Sequence, residues 1–507
     1  MINALILEKK SPAELIEIIN ALNQEKAQLL EIIRLYQHRQ YGRKTETQLE
    51  GQMGLFDEAE MPKSPEVIQA ADEEIHIAGH KRKKSPGRKS LPEHLPRVQR
   101  IYDLSEAEKI CPCGQALTHI TDETCEQLEI IPAKTYVIQH VRKKYACKCC
   151  ECTIKTAEYP AQPIPRSIAG PGLLSHVIVS KFEDHNPLYR QEKILQRIGI
   201  DIPRATLSLW VLRAAALLMP LKAMLKNHIQ DYDVAYADET TLQVIKEPKR
   251  SIESKKYMWL FSGGPPDKFC FYYQYHPSRV HEVAFTFFEN FKGFLHCDGY
   301  SAYDALSKRT NNIILVGCWY HARRKFVEVT KIAPNKKDGV SHHVLNYIKK
   351  LAIIEDEIDE LYPLQRYEKR EEKARPFLEE LHQYLLQEQP RSFPKSALGQ
   401  AITYTLNQWP KLINYLKDGR LEISNNLSER AIKPFAIGRK NWLFANSVEG
   451  AEAGATLFSF IETCKYHEVE PYSWFRYVFQ QLPLCKTDEE RVALLPFNID
   501  RSLLADR

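Results

Sequence analysis

The sequence has no uninterrupted apolar run that approaches the ~18 residues of a membrane-spanning helix. Residues 1–10 also lack the basic start, apolar core and cleavage site of a signal peptide. Charge of one sign is scarcely in excess, because 70 Lys and Arg face 65 Asp and Glu for a formal net charge of +5. The first two absences predict a cytosolic protein with no membrane partner. The near balance of charge neither requires nor excludes a nucleic-acid partner.

What the chain does have is length and apolar material. Its 507 residues exceed one compact domain and predict about three or four units of roughly 150 residues each. Hydrophobic residues make up 44% of the chain and aromatic residues 10%, which is enough to bury a sizeable core. A wholly disordered protein is therefore excluded.

The cysteines are unevenly distributed along the chain. There are 12 of them, and seven lie between Cys111 and Cys152. Because disulfides are rare in the cytosol, such a cluster indicates metal ligands. Two cysteine pairs flank a stretch with strand-like alternation near residues 136–141, an arrangement that resembles a zinc ribbon. We therefore predict a small module over residues 101–165.

Four sulfur ligands would satisfy a tetrahedral structural zinc ion in this module. The expected ligands are Cys111, Cys113, Cys147 and Cys150. Cys149 and Cys152 have the same CxxC spacing as Cys147 and Cys150, so the choice between these two pairs stays open. Reduced cysteines without a metal are the alternative reading.

The first forty residues carry a helical repeat with alternating spacings of four and three. Its members are Leu15, Ile19, Leu22, Lys26, Leu29, Ile33 and Tyr36. This pattern predicts a short coiled coil over residues 1–40 that joins copies of the chain into a homo-oligomer. An amphipathic helix packed on its own chain is the alternative.

Residues 41–100 show no sustained period and read as a linker. The linker contains the basic run HKRKKSPGRK, in which Lys83, Lys84 and Arg88 are candidate contacts to DNA phosphates. A solvated flexible arm explains the same run equally well.

Residues 166–230 are predicted to be helical and to resemble a helix-turn-helix. Helices are expected over 188–198 and 204–215, with Gly199 in the turn and Arg204 at the start of the second helix as a DNA contact. The side chains expected to hold the pair together are Ile194, Leu195, Ile198, Ile200, Leu207 and Trp210. A plain helical hairpin is the alternative.

Beyond Asp231 the apolar period changes from helix to strand. The predicted order is β-β-β-α-β-α-β-α, an antiparallel meander continued by parallel crossovers, as in α/β ribonuclease-H-like cores with a mixed sheet. The first strand is expected to end at Asp238 and the fourth at Asp298. Because those strands are neighbours in this topology, the two carboxylates should emerge side by side.

Two adjacent carboxylates repel each other unless a cation is shared between them. Two magnesium ions, or manganese in their place, would prefer these oxygen ligands and could act on a phosphodiester. Glu429, early in a helix with caps at 424–426, is the candidate third acid. Basic side chains suited to gripping phosphate follow it: Arg430, Lys433, Arg439 and Lys440. Taken singly, each acid also reads as an ordinary turn or helix-start residue.

Seven sequence blocks together resemble the insertion sequence 66 transposase family over nearly the whole chain. They are YGRKTE, YACKCCE, DHNPLYRQ, YADET, CDGYSAY, GCWYHARRKF and NNLSERAIKPFAIGRKNWLF. The resemblance implies a DDE transposase whose two aspartates fall on Asp238 and Asp298 and whose glutamate falls on Glu429. It departs from the family at Cys111-Pro-Cys113, where CxxC is usual.

The resemblance also implies a domain order and a reaction. The core would occupy residues 231–331 and 416–465, interrupted by a helical insertion over 332–415 and followed by a C-terminal region over 466–507. Side chains expected near DNA or the active site are Cys318, His321, Arg323, Arg324 and Lys325. The expected activity is metal-dependent cleavage at the terminal repeats and strand transfer into target DNA in the bacterial cytoplasm, with accessory proteins of the same element as further partners. A DNA-binding regulator that does not cut, or a nuclease that cannot join strands, is the alternative.

Overall fold

The structure is a computed structural model that describes residues 160–504, apart from 249, 250, 252 and 333–338. It also describes residues 135–141, 144–146 and 154–156, and single positions before residue 34. It divides into two units, one over Pro65–Tyr159 and one over the remainder. The basic run with Lys83, Lys84 and Arg88 and the four proposed zinc cysteines lie outside the described residues, as does most of the heptad pattern. Of that pattern Ile19, Lys26 and Ile33 are described, and they are helical and exposed.

Within Pro65–Tyr159 the described residues contain one antiparallel hairpin. Strand β1 (Lys144–Ala146) pairs with β2 (Ile154–Thr156). The strand predicted near residues 136–141 is wrong, because 135–141 are exposed and in neither helix nor strand. Alternation predicts a strand only where one set of side chains is buried, and here both sets face solvent.

The other unit contains the remaining elements. Its strands are β3 Val234–Leu242, β4 Val244–Lys246, β5 Lys256–Gly263, β6 Cys270–His276, β7 Gly293–Cys297, β8 Ile313–Gly317 and β9 Ala445–Ser447. Its α-helices are α1 Pro171–Phe182, α2 Leu188–Arg197, α3 Arg204–Leu217, α4 Met219–Gln230, α5 His281–Phe287, α6 Ser301–Thr310, α7 Trp319–Ile332, α8 Val340–Ile358, α9 Pro363–Lys369, α10 Arg375–Glu388, α11 Ala397–Leu412, α12 Asn426–Trp442, α13 Val448–Tyr466, α14 Pro471–Gln481 and α15 Asp488–Val492.

A five-stranded mixed sheet forms the centre of this unit. Its strand order is β6-β5-β3-β7-β8, in which β6, β5 and β3 are antiparallel and β3, β7 and β8 are parallel. The predicted meander with parallel crossovers is confirmed, including the adjacency of its first and fourth strands. Strands β4 and β9 form a separate parallel pair.

Helix α13 lies along the edge strand β6. It is buried on all sides from Ala453 to Cys464, as expected of a helix inside a core. Two of its hydroxyl side chains accept hydrogen bonds from the outward amides of β6: Ser459 Oγ from Tyr273 (2.9 Å) and Thr463 Oγ1 from Phe271 (3.1 Å). An exposed strand edge invites pairing with other chains, and α13 prevents that here.

Helices α2 and α3 form the predicted helix pair, and Gly199 between them has a positive φ of 81°. Leu195, Leu207 and Trp210 are buried in the core. Ile194 and Ile198 are 39% and 58% exposed, so the prediction that these two hold the pair together is wrong. Ile194 lies in the last turn of α2 and Ile198 directly follows that helix.

Helices α8 to α11 lie between α7 and α12 in the sequence. The buried Arg370 anchors them: it bonds Glu355 of α8 and donates to the carbonyl oxygens of Tyr415, Asp418 and Leu421. Among the described residues no single helix has both the length and the apolarity to cross a membrane; α3 and α4 reach them only as a pair bent by 48°.

Candidate active site

Asp238 lies on β3, and Asp298 directly follows β7, the parallel neighbour of β3. The pairing of β3 with β7 runs from Val234 opposite Phe294 to Tyr236 opposite His296. Each aspartate lies two residues beyond the last of these pairs. Strand β3 does not end at Asp238 as predicted. Its pairing with β5 carries it on to Leu242, because the antiparallel partner is longer than the parallel one.

Backbone amides fix one oxygen of each aspartate. Asp238 Oδ1 accepts from the amide of Glu239 (2.8 Å), and Asp298 Oδ1 accepts from the amide of Tyr300 (2.9 Å). Both carboxylates are partly buried. Their directions are therefore set by the chain before any ligand binds.

Glu429 reaches the same place from α12, which begins at Asn426. The preceding residue, Asn425, is buried and bonds two parts of the site: its side chain donates to the carbonyl oxygen of Ala237 (3.2 Å) and its amide donates to Cys318 Sγ (3.3 Å). The first turn of α12 is thereby tied to the residue before Asp238.

The three acids act on one another electrostatically. Burial raises the pKa of Asp238 well above its usual range, and the charges of Glu239, Asp298 and Glu429 raise it further. Such a set is costly to keep ionised unless a cation is shared. Three carboxylates whose negative charges repel one another are suitable oxygen ligands for a divalent metal ion of the magnesium class.

Glu239 is a fourth acid that the sequence reasoning missed. Its side chain is only 2% exposed and bonds Arg279 and the hydroxyl of Tyr303 (2.9 Å). Burial and the charge of Asp298 raise its pKa, whereas Arg279 opposes the rise. Arg279 also lies 3.8 Å from Asp298 Oδ2. It therefore compensates charge beside the second aspartate.

Three residues predicted from the GCWYHARRKF block lie close to Glu429. Cys318 Sγ lies 4.0 Å and His321 Nδ1 3.6 Å from Glu429 Oε1, and Arg324 lies 3.8 Å from Oε2. Burial works against a charge on His321, but Cys318 and Glu429 outweigh it and raise its pKa to about 10. The structure therefore brings Cys318, His321 and Arg324 to the third acid.

A basic cleft of about 360 Å³ lies beside α12. It is lined by Glu183, His185, Arg430, Lys433, Pro434, Ile437 and Lys465. His185 has a positive φ of 55°, and its buried Nδ1 has no hydrogen-bond partner among the described residues. A Cβ on Gly438 would approach that nitrogen to 3.0 Å, so α12 passes close to it only because residue 438 is glycine. His185 and Lys465 were not predicted, and only the DHNPLYRQ block could have pointed to the former.

The other predicted basic residues have varied positions. Arg439 bonds Thr240 and Thr241 of β3 and so ties α12 to the sheet. Lys325 is exposed and lies 5.7 Å from the ring centre of Tyr404. Arg323 is half-buried on α7, Lys440 is exposed on α12, and Arg204 is exposed at the start of α3, where its amide bonds Glu192 (2.8 Å).

Comparison with known proteins gives the chain a family. The profile described as "Transposase IS66 family" matches residues 166–453, which contain all three acids. Further profiles match residues 28–100 ("Transposase C of IS166 homeodomain"), 108–151 ("zinc-finger binding domain of transposase IS66") and 459–497 ("IS66 C-terminal element"). The chain belongs to the IS66 transposase family.

Relatives in Sinorhizobium fredii extend the likeness over most of the chain. The uncharacterized protein y4jD is 33% identical over 421 residues, which cover 80% of this chain and 81% of that protein. The uncharacterized protein y4qI is 31% identical over 510 residues, which cover 96% and 91%. Family membership supports a transposase role with DNA as partner and implies a divalent metal ion, and the zinc-finger match supports zinc binding.

Proposed function

We propose that the protein is a DDE transposase that cuts DNA at the ends of an insertion sequence and joins them to target DNA. In this proposal Asp238, Asp298 and Glu429 are the metal ligands of a ribonuclease-H-like core. The observation that carries it is the convergence of three acids, far apart in sequence, from β3, the end of β7 and the first turn of α12.

Two magnesium ions, or manganese ions in their place, would supply an activated oxygen nucleophile and stabilise the leaving oxygen when bound by these acids. In the first step water attacks a phosphorus at each element end, and the bond to the 3′ oxygen breaks. In the second step the released 3′ hydroxyl attacks a target phosphodiester and displaces another 3′ oxygen. The number of phosphodiester bonds is conserved in the second step, so no covalent protein intermediate is needed.

Basic side chains near Glu429 would hold the DNA backbone. Arg324 on α7 lies 3.8 Å from Glu429 and is flanked by Arg323 and Lys325, and Arg430 and Lys433 line the basic cleft. Each such contact neutralises a phosphate without reading sequence. Because Arg439 is engaged with β3, we assign it to the fold and not to DNA.

The remaining parts of the chain would bring DNA ends together. We propose that α2 and α3 read the terminal repeat with Arg204 at the groove, while Lys83, Lys84, Arg88 and Lys440 contact phosphates. Cys111, Cys113, Cys147 and Cys150 would hold structural zinc, and the N-terminal heptads would pair copies of the chain. The domain order given above follows from these assignments.

The proposal is tested by incubating the full-length protein with labelled element ends, target DNA and magnesium. We expect both nicked ends and joined products. Asp238→Asn, Asp298→Asn and Glu429→Gln should abolish both while leaving DNA retention in a gel largely intact. Asp231→Asn, at an exposed acid just before β3, is the matched control and should cut normally.

Two other outcomes would each replace the proposal. Binding of element ends without any magnesium-dependent nicking by the wild type would identify a regulator. Nicking without joined products would identify a nuclease. Normal cutting by any one of the three acid variants would remove that residue from the site.

A further inference from the structure

Three potential metal ligands, one of them Glu429, lie close together. A site for magnesium alone would not need the other two, which are a thiol and an imidazole. One atom each from Cys318, His321 and Glu429 lies within 4.8 Å of the others. Cys318 precedes α7, His321 lies in its first turn, and Glu429 lies in the first turn of α12. Both helices start here, so the cluster is held by backbone that is already ordered.

The spacing suits a tetrahedral metal ion. Zinc bonds of about 2.0 Å to nitrogen and oxygen and about 2.3 Å to sulfur place neighbouring ligands roughly 3.3–3.5 Å apart. His321 Nδ1 and Cys318 Sγ lie 3.6 Å and 4.0 Å from Glu429 Oε1. Small side-chain rotations close that difference. With three protein ligands, the fourth position stays open.

Two further features of the cluster are suited to binding a cation. His321 Nδ1 is buried and has no hydrogen-bond partner among the described residues. Cys318 Sγ accepts a hydrogen bond from the amide of Asn425 (3.3 Å). Contacts of this kind fix the direction of a metal ligand before the ion binds.

The ligand types select the ion. Thiolate and imidazole prefer borderline cations such as zinc and cobalt, whereas magnesium prefers oxygen ligands alone. We propose that Cys318, His321 and Glu429 form a binding site for one zinc-class cation, distinct from the magnesium pair but sharing Glu429. Zinc bound there would withdraw Glu429 from magnesium and inhibit strand cleavage. The binding site stands by itself, and only the inhibition depends on the proposed function.

Cobalt is the probe for the site, because a thiolate–cobalt bond absorbs visibly. The full-length protein is stripped of metal with a chelator, dialysed against cobalt alone and assayed for bound ions. We expect Cys318→Ala and His321→Ala each to bind one cobalt ion fewer than the wild type. Cys464→Ala, at another buried cysteine that lies outside the cluster, is the matched control and should bind the wild-type number.

Equal cobalt content and an unchanged spectrum in Cys318→Ala would overturn the proposal. If that variant misfolds by circular dichroism, His321→Ala decides the question, because His321 is a proposed ligand of this site alone and its loss should also remove one ion. A wild-type cobalt content in His321→Ala would exclude the three-ligand site.

A second measurement tests the inhibition. Zinc is titrated into the magnesium-dependent nicking reaction of the wild type and of Cys464→Ala, and both should lose activity at the same zinc concentration. In Cys318→Ala the residual nicking should require at least about tenfold more zinc for half-inhibition, since losing a ligand costs at least as much affinity as losing an outer contact. A wild-type zinc response in that variant would contradict the shared use of Glu429. An absence of nicking in the wild type would refute the proposed function and leave the cobalt result standing.

Discussion

Asn425 makes two contacts on which the position of Glu429 depends. Its side-chain amide bonds the carbonyl oxygen of Ala237, and its backbone amide bonds Cys318. In the part of the chain that the structure describes, its side chain bonds no carboxylate, and its carbonyl oxygen accepts a hydrogen bond from the backbone amide of Glu429 (3.1 Å). Its effect on catalysis is therefore a matter of positioning, which separates it from the residues that would hold metal.

We predict that Asn425→Ala lowers the turnover of strand cleavage by on the order of 10²-fold, the loss expected from a displacement of about 1 Å. DNA affinity should change little, because the basic side chains stay in place. Single-turnover cleavage and a gel-retention titration measure the two quantities separately.

The control for this prediction is Asn414→Ala. Asn414 also donates its side-chain amide to a backbone carbonyl, that of Leu315 (2.7 Å). Its loss should leave turnover within a few-fold of the wild type. Equal losses in the two variants would mean that Asn425 merely stabilises the fold.

Lys222 is a buried charge on α4. Its ammonium group donates to Thr456 Oγ1 (3.3 Å), and burial lowers its pKa to about 7. Between pH 7 and its ordinary value near 10.5 the unfolded chain binds the extra proton, so stability from this group rises with pH. Below pH 7 the full cost of the buried charge remains.

We therefore predict that Lys222→Met raises the free energy of unfolding at pH 6–7 by on the order of a few kcal/mol. The gain should shrink toward pH 10. Thermal unfolding at several pH values measures it. Lys226→Met, at a less buried lysine one turn later, should gain much less, and a gain in Lys222→Met that does not vary with pH would contradict the account.

The sequence predicted the two aspartates from the strand pattern. It did not predict residues whose role depends on contacts with distant parts of the chain. Asp238 and Asp298 could be placed side by side because the parallel pairing of β3 with β7 stops just before both residues, although β3 itself continues along β5. Nothing local distinguishes Arg279, which folds back on Glu239 from forty residues away. Asn425 was identified only as a cap, although its side chain bonds a distant strand.

At the scale of single elements, length and burial were the weak points of prediction. Strand β3 runs four residues past Asp238 because β5 continues beside it. Residues 136–141 alternate like a strand but have no buried face. Ile198 of the helix pair is exposed for a similar reason. In each case the decisive partner lies elsewhere in the chain, where no local pattern records it.

The helices α8 to α11 depend on one buried cation. Replacing Arg370 by Leu removes its bonds to Glu355 and to three carbonyl oxygens. We predict a loss of about 3–5 kcal/mol, because the buried Glu355 keeps only its longer contact with Arg366 (3.6 Å) and three carbonyl oxygens lose their donor. The midpoint of thermal unfolding reports the loss.

Arg375→Leu provides the comparison, since Arg375 forms an exposed pair with Glu371 one turn away. Surface pairs of this kind contribute about 0–1 kcal/mol. A similar fall in both variants would show that Arg370 does not anchor the helices.

At the scale of the whole molecule, the acid site should reduce stability until metal binds. We predict that Asp238→Asn raises the unfolding temperature in the presence of a chelator, because it removes a buried charge that Glu239, Asp298 and Glu429 disfavour. Magnesium should raise the unfolding temperature of the wild type, since it binds only the folded state. It should have less effect on the variant. An unfolding temperature of the wild type that is indifferent to magnesium would weigh against a metal site.

The topology of the central five-stranded sheet was the most predictable feature. The order of apolar strands and helices restricts the sheet to few arrangements, because crossovers between parallel strands are short and right-handed. The basic cleft could not be foreseen, since it joins α12 and α13 to the turn after α1.

Helix α13 also bears on how the gene decays. It carries the hydroxyl groups of Ser459 and Thr463 that close the edge of β6. A premature stop codon before these positions would leave that edge open, and we expect the shortened product to aggregate. Gene copies with such a stop codon would then produce no folded protein that competes with the protein from intact copies. The mutation would inactivate only the copy in which it occurs.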